Sequence, residues 1–322
     1  MSSSKNMVSK STFLKENYFR DLYKEWDKIT KNKNNISQSK NNCPVCNSGK
    51  ILNIFKKKKL TFCICSECTH VFINPYFKDK IIDNHFKNAK SWSVWSKKIL
   101  LSRTQQVIEK KKYSLGLKLI KNNSKIKNVL DVGCSSGHFL RICNKIGLNA
   151  EGIEPSKQSA DFGKKKYSLK IFNTTLSKFT SIKKYDLITC WASLEYSNNL
   201  KSDIKKIYKL LNPKGKLLIY TSGNSNSFIM RILRESCIGF VFNRRNYFNP
   251  KSLNYLLDKN GFIFKKNCSD SNDITIVNNF INYGQPYKVL GNKNFSIEKY
   301  LPKNFINKEV MGYKFLSLYE KK

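Results

Sequence analysis

The residues best suited to chemistry lie in Val129-Leu-Asp-Val-Gly-Cys-Ser-Ser-Gly-His-Phe-Leu140 and in Gly152-Ile-Glu-Pro155. An apolar run ends in Asp131, a glycine-bearing turn follows, and an amphipathic stretch comes next. A second apolar run ends in Glu154. This is the order of a buried strand, a tight loop, a helix and another strand. Gly133 supplies a backbone angle that a side chain would forbid, and Gly137 lets the helix lie close to the strand. Glu154 stands 21 positions after Gly133, where a carboxylate can accept hydrogen bonds from ribose hydroxyls. Dinucleotides use the same logic, but two residues argue against a pyrophosphate. Asp131 directly precedes the first glycine and repels it, and Ser135 replaces the middle glycine of G-x-G. The pocket suits a phosphate-free nucleoside with a cationic tail.

A second constellation lies nearer the N-terminus. Cys43-Pro-Val-Cys46 and Cys65-Ser-Glu-Cys68 are two C-x-x-C pairs with 18 residues between them. Each pair can offer two thiolates from one tight turn, and two such turns close a tetrahedral four-sulfur zinc site. With all four positions filled by protein, such a site is structural. The segment between the pairs reads as a hairpin. On it Cys63 reads as a residue that points away to pack, and His70 reads as a surface or packing residue.

Taken together, VLDVGCSSGHFL at 129–140, GIEPS at 152–156, YDLITCWASLEY at 185–196 and LLNPKGKLLIYT at 210–221 resemble the class I S-adenosylmethionine-dependent methyltransferases. The resemblance covers about residues 125–265 and the last dozen residues. It implies S-adenosylmethionine as the cofactor, held by Asp131, Gly133, Cys134, Ser135, Gly137, Glu154, Pro155, Ser156 and Thr175. Cys190 and Trp191, which end the fourth strand, then face the transferable methyl. Many relatives carry Glu-His just after that strand. Here Glu195-Tyr196 stands there, and these two are the candidate catalytic residues. A ribbon of the form CPVC…CSEC-x-x-VFINP ahead of such a domain resembles a large group of bacterial methyltransferases acting on sugars, polysaccharide precursors or secondary metabolites.

These residues need elements to position them. The pattern predicts an α/β fold: a Rossmann-like seven-stranded methyltransferase sheet, preceded by a small N-terminal zinc ribbon and a helical linker. Residues 1–40 form a flexible or partly helical arm, 41–78 the ribbon, 79–124 the linker, and 125–322 the catalytic domain with an insertion at about 270–310. Trp92 and Trp95 open the linker as packing residues. Helices are expected at Ser156–Lys166, Leu200–Leu211 and from Asn249. Strands are expected at Leu169–Phe172, Tyr185–Cys190, Lys216–Thr221 and Phe262–Lys265, with Met311–Glu320 returning antiparallel. The loop Ser222–Ser227 and the pair Arg244 and Arg245 lie where substrate enters, and the pair suits a diphosphate. His138 reads as buried or capping.

The net charge is +38, yet only seven of the 60 basic residues are arginine. Dedicated readers of phosphate and bases favour arginine, so the lysines read first as a solvated surface. The N-terminus lacks the apolar core of a signal peptide, and no run approaches the ~20 apolar residues of a membrane span. The expectation is a cytoplasmic protein acting on a small molecule, such as a nucleotide sugar or glycan precursor. An RNA methyltransferase and a non-catalytic cofactor-binding scaffold are the competing readings.

Overall fold

The computed structural model describes residues 18–88, 90–120, 126–237, 239–270, 278 and 312–322. The insertion expected at about 270–310, most of the first half of the arm and the end of the linker lie outside the described residues. Residues 18–31 form helix α1. The hairpin β1 (Ile51–Lys57) and β2 (Leu60–Cys65) follows, then β3 (Val71–Ile73). Next come α2 (Asp79–Asn88), the short α3 (Lys90–Val94) running into a π-helical turn at Trp95–Ile99, and α4 (Arg103–Ile120).

The chain then alternates between strands and helices. It runs β4 (Asn128–Val132), α5 (His138–Lys145), β5 (Asn149–Ile153), α6 (Lys157–Tyr167), β6 (Lys170–Phe172) and β7 (Tyr185–Trp191). It continues with α7 (Leu200–Leu210), β8 (Leu211–Thr221), α8 (Phe228–Leu233), β9 (Asn246–Tyr247), α9 (Pro250–Asp258), β10 (Phe262–Asp270) and β11 (Lys314–Lys321). The seven-stranded sheet has the order β10-β11-β8-β7-β4-β5-β6. Strand β11 pairs antiparallel with both β8 and β10, as expected for the last strand, and the strands from β8 to β6 pair in parallel.

Local sequence explains the helix starts. The Ser156 hydroxyl accepts from Ser159 N–H and caps α6. Asn249 and Ser252 form a capping box, with Pro250 in the first turn of α9, a position where the missing N–H costs nothing. The Asn212-Pro-Lys-Gly215 turn is absorbed into the start of β8, with Lys214 at φ 59°.

Alternation along the strands divides the core between the two faces of the sheet. Leu130, Ile188, Cys190, Leu217 and Ile219 pack with residues of α7 and α9. Val129, Leu187, Trp191 and Leu218 pack with residues of α4 and α5. The ribbon is not a detached module. Strand β9 completes its sheet in the order β1-β2-β3-β9, and Leu22 and Trp26 of α1 are buried with Phe62, Ile73, Phe242 and Tyr247.

Candidate active site

Strand β4 is the point where successive strands begin to add on the opposite side, so a crevice opens beyond its carboxyl end. The loop there is shaped by Gly133 at φ 76°, where an added Cβ would lie 2.6 Å from Ser193 Cβ. At Gly137 (φ 78°) an added Cβ would meet Leu169 Cδ1 at 2.3 Å. Gly137 therefore acts as helix-packing glycine and lies off the cavity wall.

Glu154, at the end of β5, turns back to this loop. One carboxylate oxygen accepts the Ser135 N–H at 2.8 Å and the other accepts the Ser156 N–H at 2.8 Å. Asp131 accepts from the Thr189 hydroxyl at 2.7 Å. Burial pushes each of these two carboxyls up to about 7, against the pull of these hydrogen bonds.

A cavity of about 400 Å³ opens on this loop. The half nearest the β4 loop, where the sequence places the cofactor, is walled by Asp131, Gly133, Cys134, Ser135, Glu154, Pro155, Ser156 and Trp191. Thr175 does not join them: it is exposed, and its hydroxyl meets that of Ser177. Cys190 does not join them either. The period of two sends Thr189 and Trp191 one way and turns Cys190 into the opposite core. Lys112 of α4 also lines this half. Its ammonium meets the Glu109 carboxylate and lies 4.4 Å from the centre of the Tyr113 ring. The sequence reading missed Lys112. It reaches the cavity through a tertiary contact of α4 with Trp191, which no local pattern in the sequence marks.

The other half of the cavity is aromatic and cationic. It is walled by Tyr18 and Phe19 of α1, Phe86, Trp95, Tyr196, Ser222, Asn243, Arg244 and Lys314. The candidate catalytic pair is split. Tyr196 lines the cavity, and burial holds its phenol above its ordinary range, so it stays protonated. Glu195 is wholly buried behind the wall, where its carboxylate accepts the Ser222 N–H at 2.8 Å. It accepts hydrogen bonds within the protein and does not line the cavity. The arginine pair is also split. Arg244 enters the cavity, while Arg245 sits outside with its guanidinium 5.3 Å from the centre of the Tyr76 ring. The two do not form a joint diphosphate clamp. Trp95 is a cavity residue as well as a packing one; the Trp92 side chain lies outside the described ones. His138 opens α5 with its Nε2 buried.

The profile of a family described as a methyltransferase domain matches residues 103–264, half of the chain. The chain belongs to this methyltransferase-domain family. The malonyl-[acyl-carrier protein] O-methyltransferase of Priestia megaterium is 31% identical over 101 residues, which are 30% of this chain and 37% of that protein. A second such enzyme, from Ilyobacter polytropus, is 27% identical over 187 residues, 56% of this chain and 68% of that protein. The ubiquinone biosynthesis O-methyltransferase of Actinobacillus pleuropneumoniae is 29% identical over 118 residues, 33% and 50% of the two chains. The chain thus spans between 37% and 68% of the length of these relatives. Magnesium protoporphyrin IX methyltransferase of Synechocystis, solved with bound SAH, superposes with a TM-score of 0.50 at 13% identity over 76% of this chain and all of that one, a likeness of fold.

Outside the methyltransferase domain, the four ribbon cysteines converge as the spacing predicts. Cys43, Cys46, Cys65 and Cys68 place their sulfurs within 4.8 Å of one another. The pairs Cys43–Cys68 and Cys46–Cys65 stand at 3.6 and 3.4 Å. These separations are too long for disulfides and near the ~3.8 Å edges of a tetrahedron with zinc–sulfur arms of ~2.3 Å. Cys63 turns away and donates to Asn53. His70 is fully buried, not at the surface, with its Nε2 3.3 Å from Asn246 Oδ1. Among the described residues no helix is long and apolar enough to cross a membrane.

Proposed function

We propose that the protein transfers the methyl group of S-adenosylmethionine to an oxygen of a small-molecule acceptor. One observation carries this reading: a single cavity joins the Gly133–Ser135 loop and Glu154 to an aromatic chamber walled by Tyr196 and Arg244. The cofactor supplies an activated methyl on a sulfonium, so the protein's work is chiefly alignment. Glu154 holds the ribose hydroxyls. Asp131 and Lys112 face the two charges of the amino-acid end, carboxylate to ammonium and ammonium to carboxylate. Trp191 and Ala192 border the reacting carbon. The aromatic chamber holds the acceptor body and keeps water out.

The small-molecule, oxygen-directed part of this reading is supported by the names of the curated relatives. A sugar or polysaccharide precursor as acceptor rests on the ribbon-first order of the chain alone. We also assign one structural zinc to Cys43, Cys46, Cys65 and Cys68, because buried thiols converging at these separations match a four-sulfur site. Methyl-labelled S-adenosylmethionine, incubated with the protein and a small-molecule metabolite extract, tests the function. Label in a small product supports it. Label in RNA alone refutes it in favour of a nucleic-acid methyltransferase.

A further inference from the structure

Arg244 is the most unusual group on the cavity wall. It is only 8% exposed. Its Nη1 donates to Gly239 O at 3.3 Å and its Nη2 to the Ser222 hydroxyl at 2.7 Å. Its Nε is buried without a hydrogen-bond partner. Among the described residues no carboxylate lies within ion-pair distance of it. The nearby Glu195 carboxylate, whose charge acts on Arg244 from beyond ion-pair distance, spends one oxygen on the Ser222 N–H and hydroxyl and keeps the other buried without a partner. Ser222 therefore links Glu195 to Arg244 and fixes the guanidinium plane. A buried guanidinium with an open donor is costly unless an anion completes it.

The same chamber shows how an acceptor would be activated. An alcohol acceptor needs a base to take its proton. The described carboxylates on the cavity wall are Glu109, Asp131 and Glu154, all in the cofactor half, and no described imidazole lines the cavity. Tyr196 holds its proton. A carboxylate acceptor is already charged at neutral pH and needs none of these groups.

We propose that the acceptor is a carboxylate on an apolar or aromatic body, held by Arg244, and that the product is a methyl ester. This rests on the methyl-transfer reading above. A lone pair of the carboxylate oxygen forms the new O–CH3 bond. The S–CH3 bond breaks with its electron pair remaining on sulfur. The carboxylate and sulfonium charges cancel, and no proton moves. Arg244 binds the acceptor, Ser222 and Glu195 position Arg244, and Phe86, Trp95 and Tyr196 contact the body.

The test uses the full chain saturated with S-adenosylhomocysteine. Phenylacetate and the uncharged phenylacetamide are titrated against it, followed by the fluorescence of the cavity tryptophans Trp95 and Trp191. Phenylacetate should bind about tenfold or more tightly than the amide, as expected for a charge-assisted bond to a buried arginine. Arg244→Met should erase that preference while S-adenosylhomocysteine still binds. Should Arg244→Met fail to fold, Ser222→Ala, which frees the guanidinium from its anchor, should weaken phenylacetate severalfold and leave the amide unchanged. Equal affinity for acid and amide, no binding of either, or a preference that survives both substitutions overturns the proposal. Failure of the wild-type protein to bind S-adenosylhomocysteine would instead overturn the methyl-transfer reading.

Discussion

Replacing Glu154 by glutamine tests the group to which the proposed pocket assigns the ribose. The carboxylate accepts two backbone N–H groups, from Ser135 and Ser156, each at 2.8 Å. Glutamine keeps one acceptor oxygen but presents an NH2 to the second N–H, so the loop loses one bond and gains a donor facing a donor. Hydrogen bonds to a charged group are worth about 1.5–3 kcal/mol each. One ribose bond lost or misdirected should therefore raise the dissociation constant for S-adenosylhomocysteine about tenfold to a hundredfold. The pH dependence gives a second, independent reading. Burial raises this carboxyl to about 7, so the apo protein holds the proton below that pH. Its contribution to apo stability is full below the ordinary carboxyl range and is lost as pH rises through about 7. Cofactor binding runs the other way, because ribose hydroxyls donate to the charged form. Wild-type affinity should climb as pH rises through about 7 and then level off. Glu154→Gln should flatten that climb, leaving the share contributed by Asp131, which burial also raises to about 7. Isothermal calorimetry across this range measures both effects. A variant with unchanged affinity and the wild-type pH profile would refute the placement of the ribose on Glu154.

Lys112→Met should weaken S-adenosylmethionine about tenfold through loss of a charge-assisted contact; it should also move the pH midpoint for binding upward, because Lys112 pulls the Asp131 carboxyl down. Calorimetry against pH reads both changes. Gly133→Ala places a side chain at φ 76° and 2.6 Å from Ser193 Cβ, so it should cost at least about 1–2 kcal/mol of backbone strain and lower the melting temperature while impairing cofactor binding. Purified protein should carry about one zinc per chain by elemental analysis, and Cys65→Ser should lose it together with thermal stability. In that variant acceptor binding should fall further than cofactor binding, because β3 pairs with β9 beside Arg244 and Arg245, and Asn246 joins His70 to the Glu195 and Ser197 carbonyls.

What could be read in the chain was local. The Asp131–Gly137 loop, the helices that open at Ser156 and Asn249 and the cysteine hairpin each depend on residues within a few turns or one spacing, so their types reveal them. Thr175 was placed by its position after β6, but the turn points its hydroxyl at Ser177. Cys190 needed the phase of the strand, which is set by which face α7 covers. Glu195 and Tyr196 are adjacent in sequence and part ways in a 3-10 turn at Leu194–Tyr196, sending one to the core and one to the cavity. The pairing of β3 with the two-residue β9 and the packing of α1 on the chamber are long-range contacts with no periodic signal. The α1 packing is why Tyr18 and Phe19 have no signature in the sequence, and Lys112 reaches the site through an equally long-range contact of α4 with Trp191.

The central claim is that the β4 loop and Glu154 form a working S-adenosylmethionine pocket. Calorimetric titration of the full chain with S-adenosylhomocysteine at a pH above about 7 tests it most directly. The account predicts saturable binding of one molecule per chain, weakened by Glu154→Gln. Folded, metal-replete protein that binds neither S-adenosylhomocysteine nor S-adenosylmethionine would contradict it.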